Sequence, residues 1–304
     1  MNRPVSGNSS ERSRLVSWAG VASVTAAVFL LAIKAWAWLA TDSVALLGGL
    51  ADSFLDLLAS MMTLIAVRLA AEPADREHRF GHGKLEAVAG LLQASLIVMS
   101  SAYVAYNAIA RLITPAPVSA PEIGIAVTLV SLGVTAVLVA YQRRVIRRTG
   151  SVAIRADSLH YAADLLGNLA VLVAIGLSAG LGWHAADPLL GLVIVFVILA
   201  SVRDILSQAL AVLLDRELSP EIRNRILEIA TSHAEVRGVH DLRTRSASTK
   251  DFIQLHLELD PTTPLADAHR ISDEVETNIR RQFSRAELII HVDPAGISEP
   301  RDRF

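Results

Sequence analysis

The sequence predicts a multi-pass α-helical membrane protein, with six transmembrane helices followed by a cytoplasmic α+β domain of order αββαβ. Three observations point there. Of the 304 residues 52% are hydrophobic and the mean hydropathy is +0.44, yet the apolarity is confined to the first two-thirds of the chain. Within it, two pairs of polar residues recur at helical spacing. The last third is charged and alternates instead. The net charge of −2 argues against nucleic acid as a partner.

A helix needs about 20 apolar residues to cross a ~30 Å hydrocarbon core. Six such runs are expected at roughly residues 15–40, 44–70, 85–112, 122–142, 152–180 and 186–213. So many in so short a stretch leave too little polar chain to cover them as buried helices of a soluble protein. The expected domains are a cytoplasmic tail over 1–14, a six-helix membrane domain over 15–214 and a cytoplasmic domain over 215–304. The first run follows a polar tail and is longer than the apolar core of a cleavable signal, so it reads as a signal anchor.

Basic residues fix the orientation. They occupy the tail (Arg3, Arg12, Arg14), the second loop (Arg68, Arg76, Arg79, Lys84) and the fourth (Arg143, Arg144, Arg147, Arg148, Arg155). The loops around Thr41–Asp42, over TPAPVSAPE and over SAGLGWHAAD carry no lysine or arginine. The positive-inside rule places both termini in the cytoplasm. Trp36, Trp38 and Trp183 fit an outer aromatic belt, and Lys34 is expected to reach toward the same interface along its apolar stem.

In the last segment, Ser219-Pro220-Glu221 opens a helix with a cap and a proline at its first position. GVHDLRTRSAS reads as a strand. In DFIQLHLELD, Ile253, Leu255, Leu257 and Leu259 alternate with Gln254, His256 and Glu258, the period of a half-buried strand. Thr263-Pro264 opens a second helix, and AELIIHVD is the third strand. Such a domain buries only a modest core alone, which makes dimerisation through it plausible.

Carboxylates at bilayer depth are costly and mark ion or proton paths. Asp52 and Asp56 in LLGGLADSFLDLLAS, and His160 and Asp164 in RADSLHYAADLLGNLAVLVA, each lie one turn apart and so share a helix face. The two faces together offer three carboxylates and one imidazole, a ligand set for a divalent cation. The bland alternative is helix–helix hydrogen bonding without an ion. An intramembrane aspartyl hydrolase would take its paired acids from two facing helices, whereas Asp52 and Asp56 share one. Asp157 reads as a vestibule residue. In PADREHRFGHGK, Asp75, His78 and His82 form either a loose metal set or a solvated loop, and the two histidines would share a face if helical. His240, His256, His291 and Asp293, with His269 on the second helix, are either a cluster on the strands or ordinary surface residues. Cysteine is absent, which leaves nitrogen and oxygen ligands that suit Zn²⁺, Fe²⁺, Mn²⁺ and Cd²⁺ better than Cu⁺.

Taken together, DSVALLGGLADSFLD, PADREHRFGHGKLEA, RADSLHYAAD, LLDRELSP, HDLRTR, FIQLHLE and IIHVDP resemble the cation diffusion facilitator family, in its bacterial ferrous-iron/zinc efflux branch. The resemblance covers essentially the whole chain. It implies a transport site of Asp52, Asp56, His160 and Asp164, a loop site of Asp75, His78 and His82, and a cytoplasmic binuclear site of His240, His256, His291 and Asp293 with His269 contributing. It implies a homodimer in the bacterial inner membrane, with Lys84 and Asp215 in a charge interlock at the membrane–cytoplasm junction. The expected activity is proton-coupled antiport exporting Zn²⁺, Cd²⁺ or Fe²⁺, with Mn²⁺ a further substrate, and not enzymatic catalysis. A membrane-anchored metal sensor that does not transport is the rival reading.

Overall fold

The computed structural model describes residues 9–41, 44–113, 122–181, 183 and 185–296. The expected polar loops around Asp42 and over TPAPVSAPE, and Arg3 of the tail, lie outside them. Six long helices come first: α1 (Ser9–Thr41), α2 (Val44–Ala70), α3 (Leu85–Ile113), α4 (Glu122–Thr149), α5 (Val152–Leu181) and α6 (Ala186–Leu213). The rest is α7 (Pro220–Thr231), β1 (Gly238–Ser246), β2 (Asp251–Leu259), α8 (Leu265–Gln282) and β3 (Ala286–Pro294), the expected αββαβ order. The described residues divide into two compact units, one over residues 10–210 and the other over residues 211–296.

Within the helical unit, five segments are long and apolar enough to cross a membrane among the described residues: Glu11–Ala40, Gly49–Ala70, Leu85–Ile113, Ile123–Thr149 and Pro188–Leu213. The sixth long helix, α5, is not among them, and Arg155, Asp157, His160 and Asp164 interrupt its first half. It packs against α3, α4 and α2, and α2 packs against α3. Small residues make these contacts close. Gly20 faces Leu64 across α1 and α2, and Gly90 faces Val152 across α3 and α5, where an added Cβ would sit 2.8 Å from Cγ1 of Val152. That is the packing that small residues permit in membrane bundles. Val137 and Phe196 leave 72% and 76% of their surface exposed, as a bundle facing hydrocarbon requires.

One end of the bundle is closed by a buried ion pair. The Arg12 guanidinium donates to Glu86 at 2.8 Å and to the Thr149 carbonyl at 3.0 Å, while Ser151 donates to the other Glu86 oxygen. Arg12 and Glu86 are both almost fully buried. Removing either partner would strand a buried charge at a cost of about 3–5 kcal/mol. This pair ties the first turns of α1 and α3 to the turn between α4 and α5.

In the second unit, β1 pairs antiparallel with β2, and β2 parallel with β3. Parallel neighbours need a crossover, and α8 supplies it. Ile253, Leu255 and Leu257 of β2 pack on Ile226 and Ile229 of α7 and on Val275 and Ile279 of α8. The period-2 alternation therefore sends the leucines to the helices and His256 to the other face of the sheet.

Candidate metal centres

The first centre joins two helices of the bundle. Asp56 on α2 meets His160 on α5, with Oδ1 2.8 Å from Nε2. Asp164, one turn further along α5, places Oδ2 3.7 Å from the same nitrogen. One ligand atom from each of the three lies within 4.8 Å of the others. All three are partly or largely buried. Asp52, a turn before Asp56 on the same helix, stands outside this group of three. Around the centre lies a buried polar layer. Tyr161 shares a 2.7 Å hydrogen bond with Ser60, and Asp157, fully buried, accepts from Ser23 at 2.6 Å and from Gln142 at 2.7 Å.

The second centre is in the loop between α2 and α3. Asp75 Oδ1 accepts from the backbone N–H groups of His78, at 2.6 Å, and Glu77, at 2.9 Å. Its other oxygen lies 3.5 Å from His78 Nδ1 and 3.4 Å from His82 Nε2. The His78 N–H bond above all holds the Asp75 carboxyl below the usual carboxylate range. The segment is not helical. Gly81 takes φ 81° and its N–H bonds the His78 carbonyl at 2.9 Å, so turns rather than helical periodicity bring the two rings to 4.5 Å.

The third centre is the open face of the sheet. Strand register sets His240, His256 and His291 in one row across β1, β2 and β3. Asp293 follows His291 by two residues and so shares its face. Its Oδ2 is 2.8 Å from His256 Nδ1 and 3.3 Å from His240 Nε2, and its Oδ1 is 3.0 Å from His291 Nε2. Two further carboxylates close in: Glu258 lies 2.8 Å from His240 Nδ1, and Asp241 lies 3.8 Å from His256 Nε2. Asp241 sits where β1 shifts register, at φ 48°, and its hydrogen bond from Arg243 keeps its carboxyl low.

Each centre gathers carboxylate and imidazole with no thiol, a hard-to-intermediate donor set for divalent first-row ions. The family description "Cation efflux transmembrane domain" matches residues 20–214, and "Cation efflux protein, cytoplasmic domain" matches residues 218–295. The chain belongs to the cation efflux family. Among its relatives are the cation-efflux pumps FieF of Citrobacter koseri, 46% identical, and of Escherichia coli K12, 45% identical. Each is aligned over 93% of this chain and 94% of the relative. Of the solved structures, the zinc form of CzrB, named as a zinc transporter, is 34% identical over 28% of this chain and 99% of its own, with TM-score 0.27. A nickel form of the MamM CTD is 27% identical over 25% and 98%, with TM-score 0.24. The relatives are named as pumps, and the family is one of membrane transporters rather than enzymes.

For a cation efflux protein, the remaining residues singled out in the sequence are placed as follows. His269 stands on the exposed side of α8, 3.5 Å from Asp273 one turn on, and is not part of the sheet cluster. Asp215 pairs with Arg245 at 3.3 Å within the C-terminal unit. Lys84 lies in the turn just before α3, in the helical unit. Sequence reasoning missed Asp241 and Glu258. Glu258 was visible as the polar residue two positions after His256, on the same strand face. Asp241 was not, because only a register shift turns it toward that row. Lys34, expected to reach outward, instead donates to Ser53 on α2 at 2.7 Å.

Proposed function

We propose that this chain is a proton-coupled antiporter that exports Zn²⁺, Cd²⁺ or Fe²⁺, and also Mn²⁺, from the bacterial cytoplasm across the inner membrane. The observation that carries the proposal is the meeting of Asp56 with His160 and Asp164 between α2 and α5, inside a helix bundle of a cation efflux chain. Asp52, one turn away on α2, is the fourth ligand, drawn in when the ion arrives. All six long helices cross the membrane, α5 shielded by its neighbours, and both termini are cytoplasmic.

The chemistry follows from the ligands. His160 must be neutral and the aspartates ionised to bind metal, so protons and metal compete for the same atoms. Facing inward, the deprotonated set takes an ion from the cytoplasm. Facing outward, protons load the ligands and the ion leaves. The packed helices rock about this site to alternate access. The loop cluster of Asp75, His78 and His82 binds a second ion. The sheet cluster of His240, His256, His291 and Asp293 binds regulatory or structural ions. The C-terminal domains join two copies. Such ions act on transport only by binding one arrangement of the dimer better than another.

The test is flux of Zn²⁺, Fe²⁺, Cd²⁺ and Mn²⁺ in proteoliposomes under an imposed pH gradient. Metal entry coupled to proton exit supports the reading. Metal binding with no flux under any gradient overturns it in favour of a membrane-anchored sensor.

A further inference from the structure

An ammonium in an apolar helix is costly unless a partner receives it. Lys34 lies in FLLAIKAWAWLA of α1, inside the apolar segment Glu11–Ala40. Only six residues separate it from the end of that segment, about 9 Å of helix, a span a lysine stem nearly covers. The side chain turns across to α2 all the same. Its Nζ donates to Ser53 Oγ at 2.7 Å, and Ser53 is 1% exposed. The stem runs past Gly49, one turn earlier on α2, with Lys34 Cδ 4.0 Å from where a Cβ there would sit, an ordinary van der Waals contact.

That docking point adjoins the proposed transport site. Ser53 directly follows Asp52 and shares a helix face with Asp56, three residues on. The ammonium interacts electrostatically with both Asp52 and Asp164. It has three donors and no acceptor, so it cannot be a ligand. Its contribution is charge. Three carboxylates in a weakly solvated site attract a dication with one unit of negative charge to spare, and an ammonium removes that excess. A path that conducts must bind its ion strongly enough to admit it and weakly enough to release it.

We propose that Lys34 is a resident counter-ion of the transport site, held by Ser53, which brings the site to charge balance when a divalent cation occupies it and so sets the rate of release. The proposal rests on the transport-site reading given above. The experiment uses the full-length protein with the loop and sheet clusters disabled by Asp75→Ala, His240→Ala and His256→Ala. In that background Lys34→Met should bind Zn²⁺ about tenfold more tightly, because a charge interaction of that order is removed, and its maximal flux in vesicles should fall. Lys34→Arg keeps the charge and should return both quantities to the parent values. Unchanged or weaker Zn²⁺ binding in a folded Lys34→Met protein overturns the proposal. Should Lys34→Met not fold, Ser53→Ala releases the ammonium and is read instead: tighter binding supports the proposal and unchanged binding overturns it. Asp56→Ala is measured alongside. Retained binding there removes the transport-site reading itself, whereas loss there beside unaltered Lys34→Met sinks the counter-ion alone.

Discussion

The helical cluster and the sheet cluster use the same two side-chain types but assemble them in opposite ways. In the bundle, His160 and Asp164 are fixed to one another by a single turn of α5, and only Asp56 comes from elsewhere. Any shift of α2 against α5 therefore opens or closes the cluster without disturbing either helix. On the sheet, His240, His256 and His291 each come from a different strand, and the register of the hydrogen-bonded ladder sets their spacing. Strands cannot slide without losing that ladder and exchanging faces. The first construction suits ligands that must let go, and the second suits ligands that hold. On the proposed function, transport belongs to the helices and regulation or stability to the sheet.

The largest effect that bears on this contrast is loss of transport. Asp56→Ala or Asp164→Ala should abolish Zn²⁺ flux in vesicles, to at least about a hundredfold below the parent, since either removes one of few charged ligands. The protein should still elute as the parent oligomer. Wild-type flux in either variant would break the assignment. Next in size, His240→Ala combined with His291→Ala should slow flux without ending it. It should also remove the rise in thermal stability that Zn²⁺ gives the parent. An ion that binds only the folded state at a hundred times its dissociation constant adds about 2.7 kcal/mol. Complete loss of flux, with metal still bound at Asp56, His160 and Asp164, would make the sheet cluster obligatory and erase the contrast.

A smaller change concerns selectivity. His160→Asp leaves an all-oxygen set, which favours harder ions. Competition binding should narrow the preference for Zn²⁺ over Mn²⁺ by about tenfold, and an unchanged ratio would show that the imidazole does not set it. The smallest effect lies on the surface of the C-terminal unit. His233, first, and then Arg270 hold the Glu274 carboxyl below its ordinary 4.5. A group whose folded pKa is depressed adds stability above its ordinary pKa and loses it as the pH falls through the folded value. Denaturation at pH 7 and near pH 3.5 should thus show a slightly shallower acid loss in Glu274→Gln. An acid loss as steep as the parent's would mean that these partners contribute nothing.

What the sequence made legible follows the same division. The length of the apolar runs located the six long helices, caps and alternation located the αββαβ order, and the i, i+4 pairs marked α2 and α5 as the helices that bear candidate ligands. Short-range rules reach that far. They could not pair Asp157 with Ser23 and Gln142, because those partners come from α1 and α4 and are joined only by packing. They misplaced Lys34 because an apolar stem near a helix end reads as a route to water, and Ser53 was a better partner than the interface. Helical spacing was also the wrong ruler for His78 and His82, whose proximity comes from a turn that Gly81 permits at positive φ. Asp241 was hidden by a register shift, which no alternation pattern announces.

The row of histidines has a consequence for how the C-terminal unit comes apart. β1 and β2 are neighbours in sequence and form a hairpin, whereas β3 reaches β2 only after the length of α8. Left to the ladder alone, β3 is the strand whose detachment frees the most chain, and local opening would begin there. An ion held by His240, His256 and Asp293 bridges both seams of the sheet. Peeling β3 away would then require surrendering the ion, and with it the hairpin's own cross-strand tie. Amide exchange would register this as a merger: two separate opening events without metal, and one shared event for all three strands with it.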